Sequence, residues 1–452
     1  MSDRIEINSA YIEEIASLIE VNNSTELSLI ITDLHIADIA EIIEDLPIGN
    51  AHFLFDLIEK EKSAPVLVEL EDDTREEILS DLTAKEIAEG VIDNLESDDA
   101  ADVIGELSEN KKEEVLALIE DFEHASDISD LLTYPEDTAG GLMAKELIKV
   151  NENWTTIQCL KEMRKQAEEV KEVYTIYVVD DNDKLLGILS LRKLLLIEKA
   201  TAIKDIIFTD IISVKATEDD EHVANIMNKY DLIALPVVDD LNQLIGRITI
   251  DDVMDVVKEE AEKDYQMAAG ISQDVEADDS ILELTKARLP WLVLGLFGGL
   301  GSVYILQGFE EALFHYPILF FFTPLIAAMA GNVGVQSSAI IVQGLANDVV
   351  KGSLFHRLLK ELGLALINGS ILGLLVILFG VIVGQDFIVS ITIAISMLTV
   401  IIIAALIGTF VPIILDRKGI DPAIATGPFI TTSNDIFGIF LFFYIAKLIL
   451  GF

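Results

Sequence analysis

Over the first 130 or so positions, apolar residues recur at three- and four-residue spacing in short bursts. Leu34 to Pro47 is one burst, with Ile39, Ile42, Ile43 and Leu46 on one stripe, and it is echoed by Leu82 to Leu95 and Leu95 to Leu107. One buried stripe per short helix, repeated in tandem, predicts helices stacked into a superhelix rather than a globule. Between about Pro135 and Val257 the period changes to that of strands. Tyr177 to Leu191 reads as strand, polar turn and strand, and recurs 59 positions later as Pro236 to Ile250, with Gly187 and Gly246 coinciding. Each copy follows an amphipathic helix (Ile157 to Gln166; Glu221 to Tyr230) and leads into another, which predicts two βαββα units. A helix from Asp251 to Glu262 then keeps only Val253, Met254, Val256, Val257 and Ala261 apolar among many acids.

Five apolar runs long enough to span a bilayer follow, near Leu289–Gln307, Pro317–Leu345, Leu362–Gly384, Phe387–Leu415 and Ile424–Leu450. With a cytoplasmic start, Lys351, Arg357 and Lys360, then Arg417 and Lys418, fall in cytoplasmic loops. The opposite loops hold Glu310, Glu311 and Asp386 but no Lys or Arg. This obeys the positive-inside rule and places the N-terminus in the cytoplasm and the C-terminus outside. The expected domains are a helical-repeat domain at 1–132, a tandem pair at 133–250, an acidic connecting helix at 251–283 and a five-helix transmembrane domain at 284–452.

Charge sharpens this division. From Leu284 onward there are eight of the 31 basic and eight of the 78 acidic side chains, so the whole formal charge of −47 lies in residues 1–283. Such self-repulsion opposes compaction unless counterions bind, although a solvated acidic surface would account for part of it. Without a basic footprint, nucleic acid is not an expected partner. Cys159 is the only cysteine, so no intramolecular disulfide can form. Met1 to Glu6 lacks the apolar core of a signal peptide.

The last apolar run carries one carboxylate, Asp435, preceded by Thr431, Thr432, Ser433 and Asn434. A charge in the bilayer interior costs several kcal/mol and persists only beside a polar path or partner. The second run carries Ala330-Gly331-Asn332-Val333-Gly334-Val335-Gln336-Ser337-Ser338, where small residues permit close helix approach. Asn332 and Gln336 need polar partners or water; packing and pore lining weigh about equally. Asp98 and Asp102 share one helix face, which taken alone reads as solvated surface.

The paired βαββα units resemble a cystathionine-β-synthase (CBS) domain pair. The membrane motif at 330–338, together with Gly419-Ile420-Asp421-Pro422-Ala423 and Pro428 to Asp435, resembles the MgtE magnesium channels. Helical N-domain, CBS pair and acidic helix arrive in that family's order, so the resemblance covers nearly the whole chain. It implies a homodimer in the cell membrane with a pore on the two-fold axis. There Asp435 from each chain holds a hydrated Mg²⁺, and Asn332, Gly427 and Thr431 line the path. It also implies that the acidic helix is a plug, and that cytoplasmic Mg²⁺ closes the pore. The regulatory ligands carried over are Asp98 and Asp102, Asp231 of the second repeat, and Asp252, Asp255, Glu259, Glu260 and Asp264 of the plug. Lys263 stands where relatives can carry another plug acid. Some members bind ATP, but Thr175 and Leu232 stand where Tyr and Phe are expected, and Lys193 where Asp is expected, which argues against nucleotide.

Elementary energetics agree. Mg²⁺ dehydrates reluctantly and is usually held by one or two carboxylates with its waters. One charge moved through 100 mV is worth about 2.3 kcal/mol, so a divalent ion gains roughly twice that inward. No Walker pattern suggests a pump. The runner-up is a proton-coupled exchanger using Asp435. An anion channel would want mid-span cations, and an intramembrane aspartyl protease a second buried aspartate; neither is found, and no enzyme is expected.

Overall fold

The computed structural model describes residues 7–167, 170–171, 173–197, 200–272, 275, 279–346, 350 and 353–452. Met1 to Glu6 and Lys351, which enter the topology argument, lie outside them. The chain divides into two compact units, Met1–Val257 and Lys258–Phe452.

The first unit begins with ten short helices: α1 (Ser9–Glu20), α2 (Ser24–Asp33), α3 (Ile36–Glu44), α4 (Ile48–Phe55), α5 (Lys60–Val68), α6 (Asp72–Asp81), α7 (Ala84–Gly90), α8 (Ser97–Gly105), α9 (Glu109–Leu116) and α10 (Phe122–Leu131). Each buries the stripe its spacing dictates; in α3 that is Ile39, Ala40, Ile42 and Ile43. Polar punctuation ends one helix and starts the next, as where Thr83 and Glu86 form a reciprocal capping box on α7.

Two three-stranded sheets follow. In the first repeat, β1 (Ile148–Asn151) leads through α11 (Thr156–Gln166) to β2 (Ile176–Val179), β3 (Leu185–Leu189) and α12 (Leu191–Leu196). The second repeat has β4 (Val214–Lys215), α13 (Asp220–Tyr230), β5 (Ala234–Val238), β6 (Leu244–Thr249) and α14 (Ile250–Ala269). The first two strands of each sheet run parallel and the last two antiparallel, with Ile148 opposite Ile176 and Val214 opposite Val237.

The cores are unequal. Helical array and second repeat share one continuous core, from Ile15 through Ile104 to Val237, Ile248, Val253 and Val256. The first repeat packs around its own centre, with Cys159, Ile176, Val178 and Leu194. A smaller seam of Tyr177, Val179, Leu185, Val238 and Leu244 joins the two sheets. Burial pushes the Cys159 thiol up to about 11, so it is packing rather than chemistry.

The second unit holds five helices long and apolar enough to cross a membrane: α15 (Ile281–Gln307), α17 (Ile318–Ala346), α18 (Leu354–Val383), α19 (Phe387–Asp416) and α20 (Gly427–Leu450), with a short α16 (Glu310–His315) between the first two. Two begin about eight residues before the apolar run does, because backbone hydrogen bonding continues through the polar flank. Arg357, Lys360 and Glu361 therefore belong to the first turns of α18. There Glu361 Oε1 accepts a hydrogen bond from Ser337 Oγ of α17 at 2.6 Å. α19 is the most enclosed span, burying Thr392, Ser396, Met397, Val400, Ala404 and Gly408 among others.

Candidate functional site

Small residues set the geometry around Asp435. A methyl built on Gly331 would lie 3.3 Å from Thr431 Cγ2 and 3.9 Å from Asp435 Oδ1, and one on Gly438 would lie 3.1 Å from Ala330 Cβ. These pairs run in opposite directions along the two helices, so α17 and α20 are antiparallel and in close contact, as small residues at membrane interfaces permit. On another side, a methyl on Gly298 of α15 would lie 2.0 Å from Thr432 Cγ2. Asp435 is half-buried on this seam. Asn332 and Gln336 are exposed on α17, pointing away from the packed interior of the chain. Within the motif at 330–338, Ala330, Gly331, Gly334 and Ser337 pack, while Asn332 and Gln336 face outward.

At the start of α20 the hydroxyl of Thr431 donates to the Gly427 carbonyl at 2.9 Å. Gly427 has φ +37°, and a Cβ there would lie 2.1 Å from the carbonyl oxygen of Ala268 at the end of α14. Gly270, with φ +82°, stands against Pro428, whose Cγ would be 2.3 Å from an added methyl. Only glycine fits such an approach of two backbones. The last turn of the acidic helix is thereby seated on the first turn of the helix that carries Asp435. Just before, Asp264 is half-buried and pushed above the usual carboxylate range by burial, then by Asp421 and Glu260.

In the first unit the acids of α8 gather with the start of α14. Asp98 is 8% exposed and accepts one hydrogen bond, from the Asp99 amide at 2.9 Å. Burial, then Asp252 and Asp99, push its carboxyl well up. Asp99 is pushed to about 6 by burial, relieved by Lys171 and worsened by Asp252. Burial among neighbouring chain, then Asp99 and Glu136, push Asp102 to about 7, although its outer atoms stay open to solvent. Asp252 Oδ2 is held by Thr249 N at 3.0 Å and Thr249 Oγ1 at 2.7 Å. Like charges confined this way favour either protons or a hard cation.

This crowd is anchored by Arg247 of β6, only 4% exposed. Its Nη2 meets Glu96 Oε2 at 3.1 Å, its Nε donates to the Glu146 carbonyl at 2.6 Å, and its guanidinium lies 5.2 Å from the Tyr174 ring. The Glu146 carboxylate in turn accepts from Ser97 N at 3.1 Å and Ser97 Oγ at 2.7 Å.

The other expected ligands are placed apart or used locally. Asp231 is exposed and ends α13 in the left-handed conformation, φ +52°. Asp255 and Glu259 are exposed along α14, and Glu260 pairs with Lys263 at 2.7 Å. Among the described residues no group of three or more His, Cys, Asp or Glu side chains is arranged to hold a metal ion. Sequence spacing does not single out Asp99, which lies off the face shared by Asp98 and Asp102, and it shows Asp421 only as part of a motif, because its approach to Asp264 depends on tertiary packing.

Five helices long and apolar enough to cross a membrane, the last carrying the half-buried carboxylate Asp435, fit a membrane transport protein, and a family model described as a divalent cation transporter matches residues 323–445. The MgtE intracellular N domain matches residues 34–137, and the CBS domain matches 139–199 and 203–259. The magnesium transporter MgtE of Bacillus subtilis is 36% identical over 317 residues, 70% of each chain. That of Thermus thermophilus is 34% identical over 328 residues, 72% of this chain and 73% of the relative. A crystal structure of the cytosolic domain of the Mg²⁺ channel MgtE in complex with ATP is 30% identical, with TM-score 0.50, covering 54% of this chain and 99% of that one. The chain belongs to the MgtE family of magnesium transporters.

Proposed function

We propose that the protein is a homodimeric channel that passes Mg²⁺ inward down its electrochemical gradient and is closed by cytoplasmic Mg²⁺. The observation that carries this is Asp435, a carboxylate inside an apolar helix, beside Gly331 and Thr431, with no hydrogen-bond partner among the described residues of its own chain. Such a group belongs on a polar path. Two copies about a two-fold axis would supply the pair of carboxylates that suits a hydrated Mg²⁺, with Asn332, Gly427 and Thr431 beside them. Transport is tested in liposomes of purified protein with a membrane potential as the driving force. Asp435→Asn should abolish Mg²⁺ flux while leaving a folded dimer; wild-type flux in the variant overturns the pore assignment. A proton flux opposite to the metal would favour the exchanger instead.

For closure, the donor set is suitable: oxygen ligands only, crowded at Asp98, Asp99, Asp102 and Asp252, with Asp231, Asp255, Glu259, Glu260 and Asp264 further along. Regulatory Mg²⁺ bridging these acids would relieve their repulsion only in the compact state, which is what lets a ligand shift the equilibrium. The seat of Ala268 and Gly270 on Gly427 and Pro428 gives the acidic helix a direct hold on the pore helix. A cytoplasmic acidic half is the orientation that Arg357, Lys360, Arg417 and Lys418, set against Glu310, Glu311 and Asp386 on the opposite side, favour. ATP is a poor fit, because Thr175 and Leu232 offer no aromatic face and Lys193 Nζ is engaged with the Ile206 carbonyl at 2.8 Å.

A further inference from the structure

One residue before Asp435, Asn434 is 1% exposed, and neither its Oδ1 nor its Nδ2 has a hydrogen-bond partner among the described residues. It packs into a notch in the facing helix: a methyl added to Gly334 of α17 would lie 1.8 Å from Asn434 Nδ2 and 2.7 Å from Ile430 Cγ2. The same stretch of α17 is pressed from behind by α19, since a methyl on Gly408 would lie 2.4 Å from the Gly334 carbonyl oxygen. Asn434 is thus enclosed within one chain, whereas Asp435, about 100° further round the helix, emerges on the seam. As packing the choice is poor. A buried amide with nothing to bond is unfavourable, and an apolar side chain of the same shape would hold the notch at least as well. The amide gains partners only when α20 lifts from Gly334 and water, including the shell of a passing ion, can reach it.

We propose that Asn434 is a positioning residue for Asp435: its unpaired amide keeps α20 from locking onto α17 at Gly334, so that α20 can shift its Asp435 as a hydrated cation passes along the two-fold axis. The proposal rests on Asp435 lying on the ion path. Leucine closely matches the shape of asparagine, so the test is Asn434→Leu in the full-length protein, with Asn434→Ser as the smaller polar control. Thermal unfolding in detergent and Mg²⁺ flux in liposomes are both measured. Asn434→Leu should melt at the same or a higher temperature and yet carry Mg²⁺ roughly tenfold more slowly, the bias expected from removing one unpaired buried group. Asn434→Ser should keep flux within about twofold of wild type, because water can still pair its hydroxyl once α20 shifts. Opposite signs for stability and flux are the signature, since a packing role alone would lower both. The proposal is overturned if Asn434→Leu transports like wild type, or if it melts lower or fails to fold. Asp435→Asn, run in parallel, separates the two ideas. Full flux in that variant removes the pore reading itself, whereas its loss beside an unaffected Asn434→Leu removes only the role given to Asn434.

Discussion

Replacing Arg247 by methionine probes the anchor beneath the acid crowd. Methionine occupies much of the same volume, so little of the effect comes from a cavity. What is lost is electrostatic. Glu96 Oε2 loses its guanidinium at 3.1 Å, while Glu96 Oε1 is already buried without a partner among the described residues, and the Glu146 carbonyl loses its donor at 2.6 Å. Breaking a buried pair from one side typically costs about 3–5 kcal/mol, because the remaining charge stays in the interior. The loss of a positive charge also leaves Asp98 less compensated, since Arg247 is one of its electrostatic neighbours. Arg247→Met should therefore destabilise the first unit by about 3–5 kcal/mol, and adding Glu96→Leu should recover most of it, because an apolar pair in place of a buried ion pair is often neutral. Native-state proteolysis of full-length protein over a denaturant series, without divalent ions, reads both variants. A single variant that loses less than about 1 kcal/mol, or a double variant no better than the single, would refute the reasoning.

Two further expectations concern closure. Asp99 and Asp102 titrate at about 6 and about 7 in the folded chain, against an ordinary 3.8. Folded values raised above unfolded ones mean that ionisation opposes folding. Metal-free stability should thus fall as pH rises from about 4 through about 7, while protection by Mg²⁺ grows over the same window; protease protection independent of pH would contradict this. Gly427→Ala would place a methyl 2.1 Å from the Ala268 carbonyl and should dislodge the end of α14, raising the Mg²⁺ concentration for half-inhibition in inside-out patches. Unchanged inhibition would mean that this contact is no part of the gate.

Periodicity made the architecture legible in advance. The stripe of Ile39, Ile42, Ile43 and Leu46 and the echo of Gly187 in Gly246 announce helix and strand locally, because each element's burial pattern is written in its own residues. Asp435 was legible for the same reason, as a lone charge in an apolar run. The rest depends on which residues meet. Asn434 reads as one more polar residue until Gly334 is found against it. The apolar run marks α18 only from Leu362, whereas the helix begins at Leu354 and brings Glu361 against Ser337. Arg247 sits in a strand pattern that announces nothing of Glu96, 151 positions away. Asp264 and Asp421 likewise approach only through the packing of α14.

The unequal sharing of cores gives the two CBS repeats different mechanical standing despite their matching sequences. The second repeat is continuous with the helical array, so opening it would expose apolar surface from Ile15 to Val256 at once. The first has its own small centre, and it is tied to the second by the Tyr177 seam, by reciprocal backbone bonds (Leu185 N to Asn242 O, Leu244 N to Asp183 O) and by the Tyr174 ring against Arg247. Cooperative units open according to the apolar contacts they share. Helical array and second repeat therefore share the core that carries the root of α14, while the first repeat, with a core of its own, is expected to open at lower cost than they do. Of two copies alike in sequence, one is built into its neighbours' core and the other stands on its own.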